Sequence, residues 1–240
     1  NPNCDCGRFI EICNNVFMQY NKTAEGTFEP LAQKNVDTGM GLERITAVTQ
    51  GVPTVFDIEV FQEIFALLNS LSGKTYAEAE RSFRIIADHI RAATFIIGDQ
   101  HGVAPSNVGQ GYIVRRLLRR AIREGKRIGI NTTFTVKIAE IVIKLFGGHY
   151  TELVTNQDRI ISELTKEEEK FGHTIENGMK ELEKKMAKGE VSGEQAFLLY
   201  QSFGFPIELT EELLRENGKQ VDKDAFAGEF KKHQDISRTA

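Results

Sequence analysis

The sequence predicts an α+β chain in which antiparallel strands occupy about residues 1–50 and a mainly α-helical domain follows. Three observations carry this. Residues 8–20, Arg-Phe-Ile-Glu-Ile-Cys-Asn-Asn-Val-Phe-Met-Gln-Tyr, are rich in β-branched and aromatic side chains, as in a long strand buried on at least one face. From about residue 53 onward, apolar residues recur at helical spacing. Gly51-Val52-Pro53 marks the change and is the candidate domain boundary.

In order, the polar stretch 21–27 is a turn, and residues 28–36 form a second, shorter strand antiparallel to the first. Asp37-Thr38-Gly39-Met40-Gly41 is a tight link into a helix from Leu42 to Gln50. Further helices are expected at about 57–70, 77–98, 111–127, 134–146, 156–188, 193–202, 209–217 and 224–235. The segment 156–188 places Ile161, Leu164, Phe171, Ile175, Met179, Leu182 and Met186 near a three-four alternation, as in one long amphipathic helix.

Composition narrows the function. The 240 residues are 40% hydrophobic and contain no run of 18 apolar residues, so no membrane span is expected. With no export signal in view, the cytoplasm is the expected location, and three cysteines fit a reducing compartment. Cys4 and Cys6 would need further ligands to hold zinc, so no metal site is assigned to this chain. His89 follows Asp88 inside a helix and is expected to pack or hydrogen-bond rather than bind metal. The net charge is −4, yet residues 112–127 carry six arginines and one lysine against one glutamate. A concentrated basic helix on an acidic chain points to a focused anionic partner.

On a helical wheel Ile113, Val114, Leu117, Leu118, Ala121 and Ile122 share one half. Arg115, Arg116, Arg119, Arg120, Arg123, Lys126 and Arg127 share the other, and Glu124 falls on the apolar side. This implies a packed face and a basic face that meets phosphates. The alternative is a set of arginine–carboxylate bridges to neighbouring acidic helices, for one or two of these residues.

The segment Val36-Asp37-Thr38-Gly39-Met40-Gly41-Leu42-Glu43-Arg44 has two glycines that permit close backbone approach and an arginine able to fork onto a phosphate. It resembles motif 3 of class II aminoacyl-tRNA synthetases, in the form found in alanyl-tRNA synthetases. Residues 9–21 resemble the strand before that motif, and Arg84–Ala92, Pro105-Ser106-Asn107 through Ala121, and Leu199–Pro206 resemble signatures of the adjoining helical domain. The resemblance runs in family order over essentially the whole chain.

It implies a ligase that activates alanine with ATP and Mg2+ and transfers it to tRNA(Ala). Arg44 would bind the γ-phosphate and act in catalysis, with Glu11, Gly39 and Gly41 also at the ATP. Asn14 and Asp37 would meet alanine, Asp37 pairing with its ammonium. Asn107 and Gln201 would face a G·U pair in the acceptor stem, and Arg115, Arg116, Arg119, Arg120 and Arg123 its phosphates. The family usually has Trp where this chain has Cys13, and Asp where it has Gln201. Asn107 read without the family is equally a helix or turn cap. Motifs 1 and 2 and a zinc-binding editing domain are not in this sequence, so zinc belongs to a full enzyme and the fragment alone is expected to be inactive. Its two strands would leave unpaired edges. The alternative function is a non-catalytic tRNA-binding module or an RNA-binding paralogue.

Overall fold

A computed structural model describes residues 8–189 and 191–239, and side chains through His233. It has two antiparallel strands followed by helices, the α+β order expected. The chain divides into two compact units, one through Gln62 and one from Glu63.

In the first unit β1 (Cys13–Lys22) pairs with β2 (Phe28–Met40) in the register Cys13↔Met40, Asn14↔Gly39 and Val16↔Asp37. The pairing extends β2 past the expected end at 36, so Asp37-Thr38-Gly39-Met40 is strand rather than link. Every residue of β1 is exposed, contrary to the expectation of a buried face; Phe17 is 72% exposed and Tyr20 60%. The reason is physical: a two-stranded ribbon has no second layer of its own to bury a face. Helix α1 (Leu42–Gln50) starts after Gly41 and stops at Gly51, whose φ of 66° only glycine adopts readily. A short 3-10 helix (Val55–Asp57) follows, capped reciprocally by Thr54 and Asp57. Helix α2 (Glu59–Ser72) contains the boundary between the units.

The second unit is built on α3 (Glu80–Gly98), α4 (Gly109–Arg127), α5 (Thr135–Phe146) and the 32-residue α7 (Gln157–Lys188). Phe83, Ile86, Ile90, Ala93 and Ile97 of α3 are fully buried at three-four spacing, the packed stripe of an amphipathic helix. Helix α7 touches α3, α4 and α5, and its buried positions run Ile160, Leu164, Glu167, Glu168, Phe171, Ile175, Gly178, Leu182. Five-residue α6 (Thr151–Thr155) is too short to show a period and has no counterpart among the expected elements.

Helix α8 (Gly193–Phe203) opens with a Ser192–Gln195 capping box and ends at Gly204, which is left-handed at φ 65°. Helices α9 (Ile207–Glu216) and α10 (Lys223–Thr239) complete the unit. Ile122, Phe171, Ile175, Leu182, Leu199, Phe205, Leu209 and Leu214 form one core that joins α4, α7, α8 and α9. Each such side chain contributes about 1.5–3 kcal/mol by leaving water. Phe226 and Phe230 of α10 pack edge-on to Tyr200 of α8, at 6.0 and 5.4 Å between ring centres. Among the described residues no helix is long and apolar enough to cross a membrane.

Candidate nucleic-acid interface

On α4 Val114, Leu118, Ala121 and Ile122 are buried as the wheel predicts, but Leu117 is only half-buried and Ile113, at the first turns, is 47% exposed; nor are the cations a bare surface. Arg119 and Arg123 are only 4% and 3% exposed. Arg119 Nε donates to Glu167 Oε1 at 2.6 Å. Arg123 Nη1 donates to Glu124 at 2.7 Å and its Nη2 to Glu216 at 2.7 Å. Arg120 grips Glu212 with both Nε and Nη2, at 2.9 and 2.8 Å, and Arg116 Nη1 donates to Glu208 at 2.8 Å. Arg127 reaches Glu216 at 3.2 Å and Lys126 reaches Glu176 at 3.3 Å. The bridges therefore involve the whole basic row, not one or two of its members.

The cause lies in α9. Glu208, Glu212 and Glu216 recur every four residues, so they share one face, and that face lies along the arginines of α4. Arg81 of α3 adds a cation to the Glu212 and Glu216 end of the ladder. Buried Glu124, on the apolar side of α4 as expected, also accepts Ser82 Oγ at 2.6 Å. Burial pushes the Glu212 carboxyl up, but the Arg120 hydrogen bonds and the charges of Arg120, Arg123 and Arg81 outweigh it and leave it below the ordinary range. Glu216 is likewise low, as Arg123, Arg127 and Arg81 outweigh its burial. Arg116, Arg120 and Arg127 remain about a third to a half exposed and can still meet an anion.

A cleft of about 390 Å³ opens at the start of α4. Asn107, Tyr112, Arg115 and Arg119 line it from α4 and the loop before it, Lys170 and Thr174 from α7, and Tyr200, Gln201 and Gly204 from α8 and its end. Asn107 and Gln201, far apart in sequence, are both exposed and both line this cleft. Asn107 does not cap α4: Val108 is the N-cap residue, and Arg115 Nη1 donates to Asn107 Oδ1. Ser106 Oγ, not Asn107, makes the local turn, donating to the Val108 carbonyl at 2.9 Å. Lys170 is exposed and has no carboxylate partner among the described residues. Tyr112 donates its hydroxyl to Glu208 at 2.7 Å; burial and that carboxylate push its pKa far up, so it stays a neutral donor.

The other predicted residues lie on the hairpin and α1. Asn14 and Gly39 are register partners, and Asp37 is two residues from Gly39, so alternation puts all three on one face of the ribbon. Cys13, paired with Met40, belongs to the opposite face. Nothing lies within 4 Å of where a Gly39 side chain would begin, so that face is open at its centre. Arg44, in the first turns of α1, donates from Nη1 to the Glu11 carbonyl at 2.7 Å, and the Gly41 amide donates to the Ile12 carbonyl at 3.2 Å. Two bonds thus hold the start of α1 against the residues before β1. Glu11, Asn14, Asp37, Gly39 and Arg44 are all exposed.

Sequence reasoning missed Glu167 and Glu168. Glu168 is buried and accepts from the backbone amides of Phe134 and Thr135 at 3.0 and 3.1 Å, so it caps α5 from another helix. The signal was present: both glutamates sit inside the apolar stripe of α7, between Leu164 and Phe171. His89 hydrogen-bonds as expected, through Nδ1 to Asp88 at 2.9 Å and through Nε2 to Arg120 Nη1 at 3.0 Å. Cys4 and Cys6 lie outside the described residues.

The sequence that builds this ribbon and helical unit matches a known class. The profile described as "tRNA synthetases class II (A)" covers residues 1–240, and the chain belongs to that family. Its relatives are narrower. It is 45% identical, over 99% of its length, to a protein named alanine–tRNA ligase of Treponema pallidum (strain Nichols), and 48% identical over 99% to one of Treponema denticola. Identity to the protein of that name from Pelotomaculum thermopropionicum is 43% over 99% of the chain. The chain spans 41% of the length of the two Treponema proteins and 28% of the third.

Proposed function

We propose that this chain is the part of an alanine–tRNA ligase in which the aminoacylation core meets the domain that reads the tRNA. Residues 1–52 are the C-terminal part of the core and residues 53–240 the tRNA-recognition domain. ATP, alanine and the acceptor stem of tRNA(Ala) are the partners of the whole enzyme. The observation that carries this reading is the cleft that unites Asn107 with Gln201 beside Arg115, Arg119 and Lys170. Amide side chains hydrogen-bond base edges, while arginine and lysine meet phosphates without reading sequence. The partly exposed Arg116, Arg120 and Arg127 continue along α4 from the cleft and hold the stem; Arg119 and Arg123, almost fully buried, support the frame.

On the hairpin, Asp37 and Asn14 face alanine across open Gly39, with Asp37 taking the ammonium. Arg44 meets the γ-phosphate of ATP and offsets negative charge as the alanine carboxylate attacks the α-phosphate. Its bond to the Glu11 carbonyl presets the guanidinium, so little reorganisation is left for the reaction. Mg2+ is ordinarily held by one or two carboxylates and the substrate phosphates, and Glu11, exposed and joined to Arg44 through its backbone carbonyl, is a carboxylate placed to take part.

The test is binding of a short acceptor-stem RNA hairpin to the 240-residue chain, followed by fluorescence anisotropy across salt concentrations. Affinity falls as salt rises, and a stem with a G·U pair binds more tightly than the same stem with G·C. Salt-independent binding, or equal affinity for the two stems, contradicts the reading.

A further inference from the structure

Asn107 and Gln201 sit on separate elements, one before α4 and one in the last turn of α8. Something must fix their separation if they are to grip one base pair. Arg115 Nη1 holds the Asn107 side-chain oxygen. Arg119 Nη1 holds the carbonyl of Gly204, the left-handed residue that ends the helix carrying Gln201. Both arginines come from α4, and both converge on one carboxylate of α7. Arg119 Nε donates to Glu167 Oε1 at 2.6 Å, and Arg115 Nε lies 3.4 Å from the same oxygen. The second contact is charge attraction without hydrogen-bond geometry, since Arg115 Nε has no hydrogen-bond partner. Glu167 is 4% exposed and touches neither arm of the cleft directly.

We propose that Glu167 is a positioning residue for base-pair recognition, setting the distance between Asn107 and Gln201 by anchoring Arg115 and Arg119. This rests on the reading of the cleft as the acceptor-stem site. Two like charges from successive turns of α4 would otherwise repel and swing apart. Their shared anion draws both guanidinium groups inward and leaves Nη1 of each aimed at its arm. The stacking of Arg119 over Phe171, 4.8 Å from the ring centre, removes its remaining freedom. An arginine offers only donors, so its bond to Asn107 also fixes which way that amide points.

The experiment uses Glu167→Gln in the 240-residue chain, with helix content checked by circular dichroism and affinities measured for G·U and G·C stems. The expected result is a loss of about tenfold in preference for G·U, the scale of one base contact. Affinity for the G·C stem and its salt dependence stay at wild-type values. Adding Asn107→Ala to Glu167→Gln lowers the preference no further, because the first change has already uncoupled that residue. Side-chain amide NMR of Asn107, without RNA, shows its two NH2 resonances moving toward the exposed, averaged position. Glu167→Asp keeps the charge but retracts the oxygens by one methylene; it shows an intermediate loss, and it carries the test if the glutamine variant does not fold. Unchanged preference overturns the proposal, and so does an equal loss of affinity for both stems, which is the mark of a fold defect alone. If the wild-type chain shows no preference, the acceptor-stem reading itself fails, whereas failure in the variants alone removes only Glu167.

Discussion

Replacing Arg123 with alanine separates a buried charge frame from a decorated surface. Arg123 is 3% exposed and spans Glu124, which is fully buried, and Glu216. Removing one partner of a buried pair costs about 3–5 kcal/mol, because the other charge stays desolvated. Here Arg81 and Arg127 remain, 3.7 and 3.9 Å from Glu124 Oε1, and Ser82 still donates to its other oxygen. The loss should therefore fall at the lower end, about 3 kcal/mol. A unit of this size loses about 2–4 °C in Tm per kcal/mol, so the expected shift is about 6–12 °C. Arg116→Ala is the control: its pair with Glu208 is more than a third exposed on both sides and is worth about 0–1 kcal/mol. Urea unfolding followed by far-ultraviolet circular dichroism measures both. A loss below about 1 kcal/mol for Arg123→Ala would refute the view that these arginines are structural.

Three other outcomes follow from the same geometry. Gly204→Ala should cost about 1–2 kcal/mol for the left-handed backbone, and more because the new methyl meets the Arg119 guanidinium; thermal unfolding measures it. Glu212 and Glu216 have lowered carboxyl pKa values, so their stabilisation is complete above the unfolded value of about 4.3 and is lost as pH falls through the folded values; acid unfolding should begin below about pH 4, and a smaller acid loss is expected in Glu212→Gln. In the full-length ligase Arg44→Ala should slow alanine-dependent adenylate formation by about 10²–10³-fold while leaving stem affinity within twofold, read by pyrophosphate exchange and RNA binding.

Helices with a clear apolar period were legible in the sequence, and α1 has the bounds its flanking glycines imply. The burial of β1 was not, because alternation and β-propensity say which residues suit a sheet and not whether a second layer is present to cover it. The residues at the mouth of the cleft were also legible, through Asn107, Arg115 and Gln201. What the wheel of α4 could not show is its neighbour. Seven cations on one half look like a phosphate surface until Glu208, Glu212 and Glu216 are laid beside them, and that pairing depends on how α9 returns across α4. Glu167 is the opposite case: its place in the apolar stripe of α7, where an apolar residue is the usual occupant, is visible in the sequence, but its partner Arg119 is supplied only by the fold.

The most direct test of the account is the affinity of the 240-residue chain and its Asn107→Ala and Gln201→Ala variants for two acceptor stems that differ only in a G·U or G·C pair. The wild-type chain should favour G·U, and each variant should lose about 1–3 kcal/mol of that preference with helix content unchanged. If only Gln201→Ala loses it, Asn107 is not a reading residue; if both variants keep the full preference, the cleft at the start of α4 does not read the base pair.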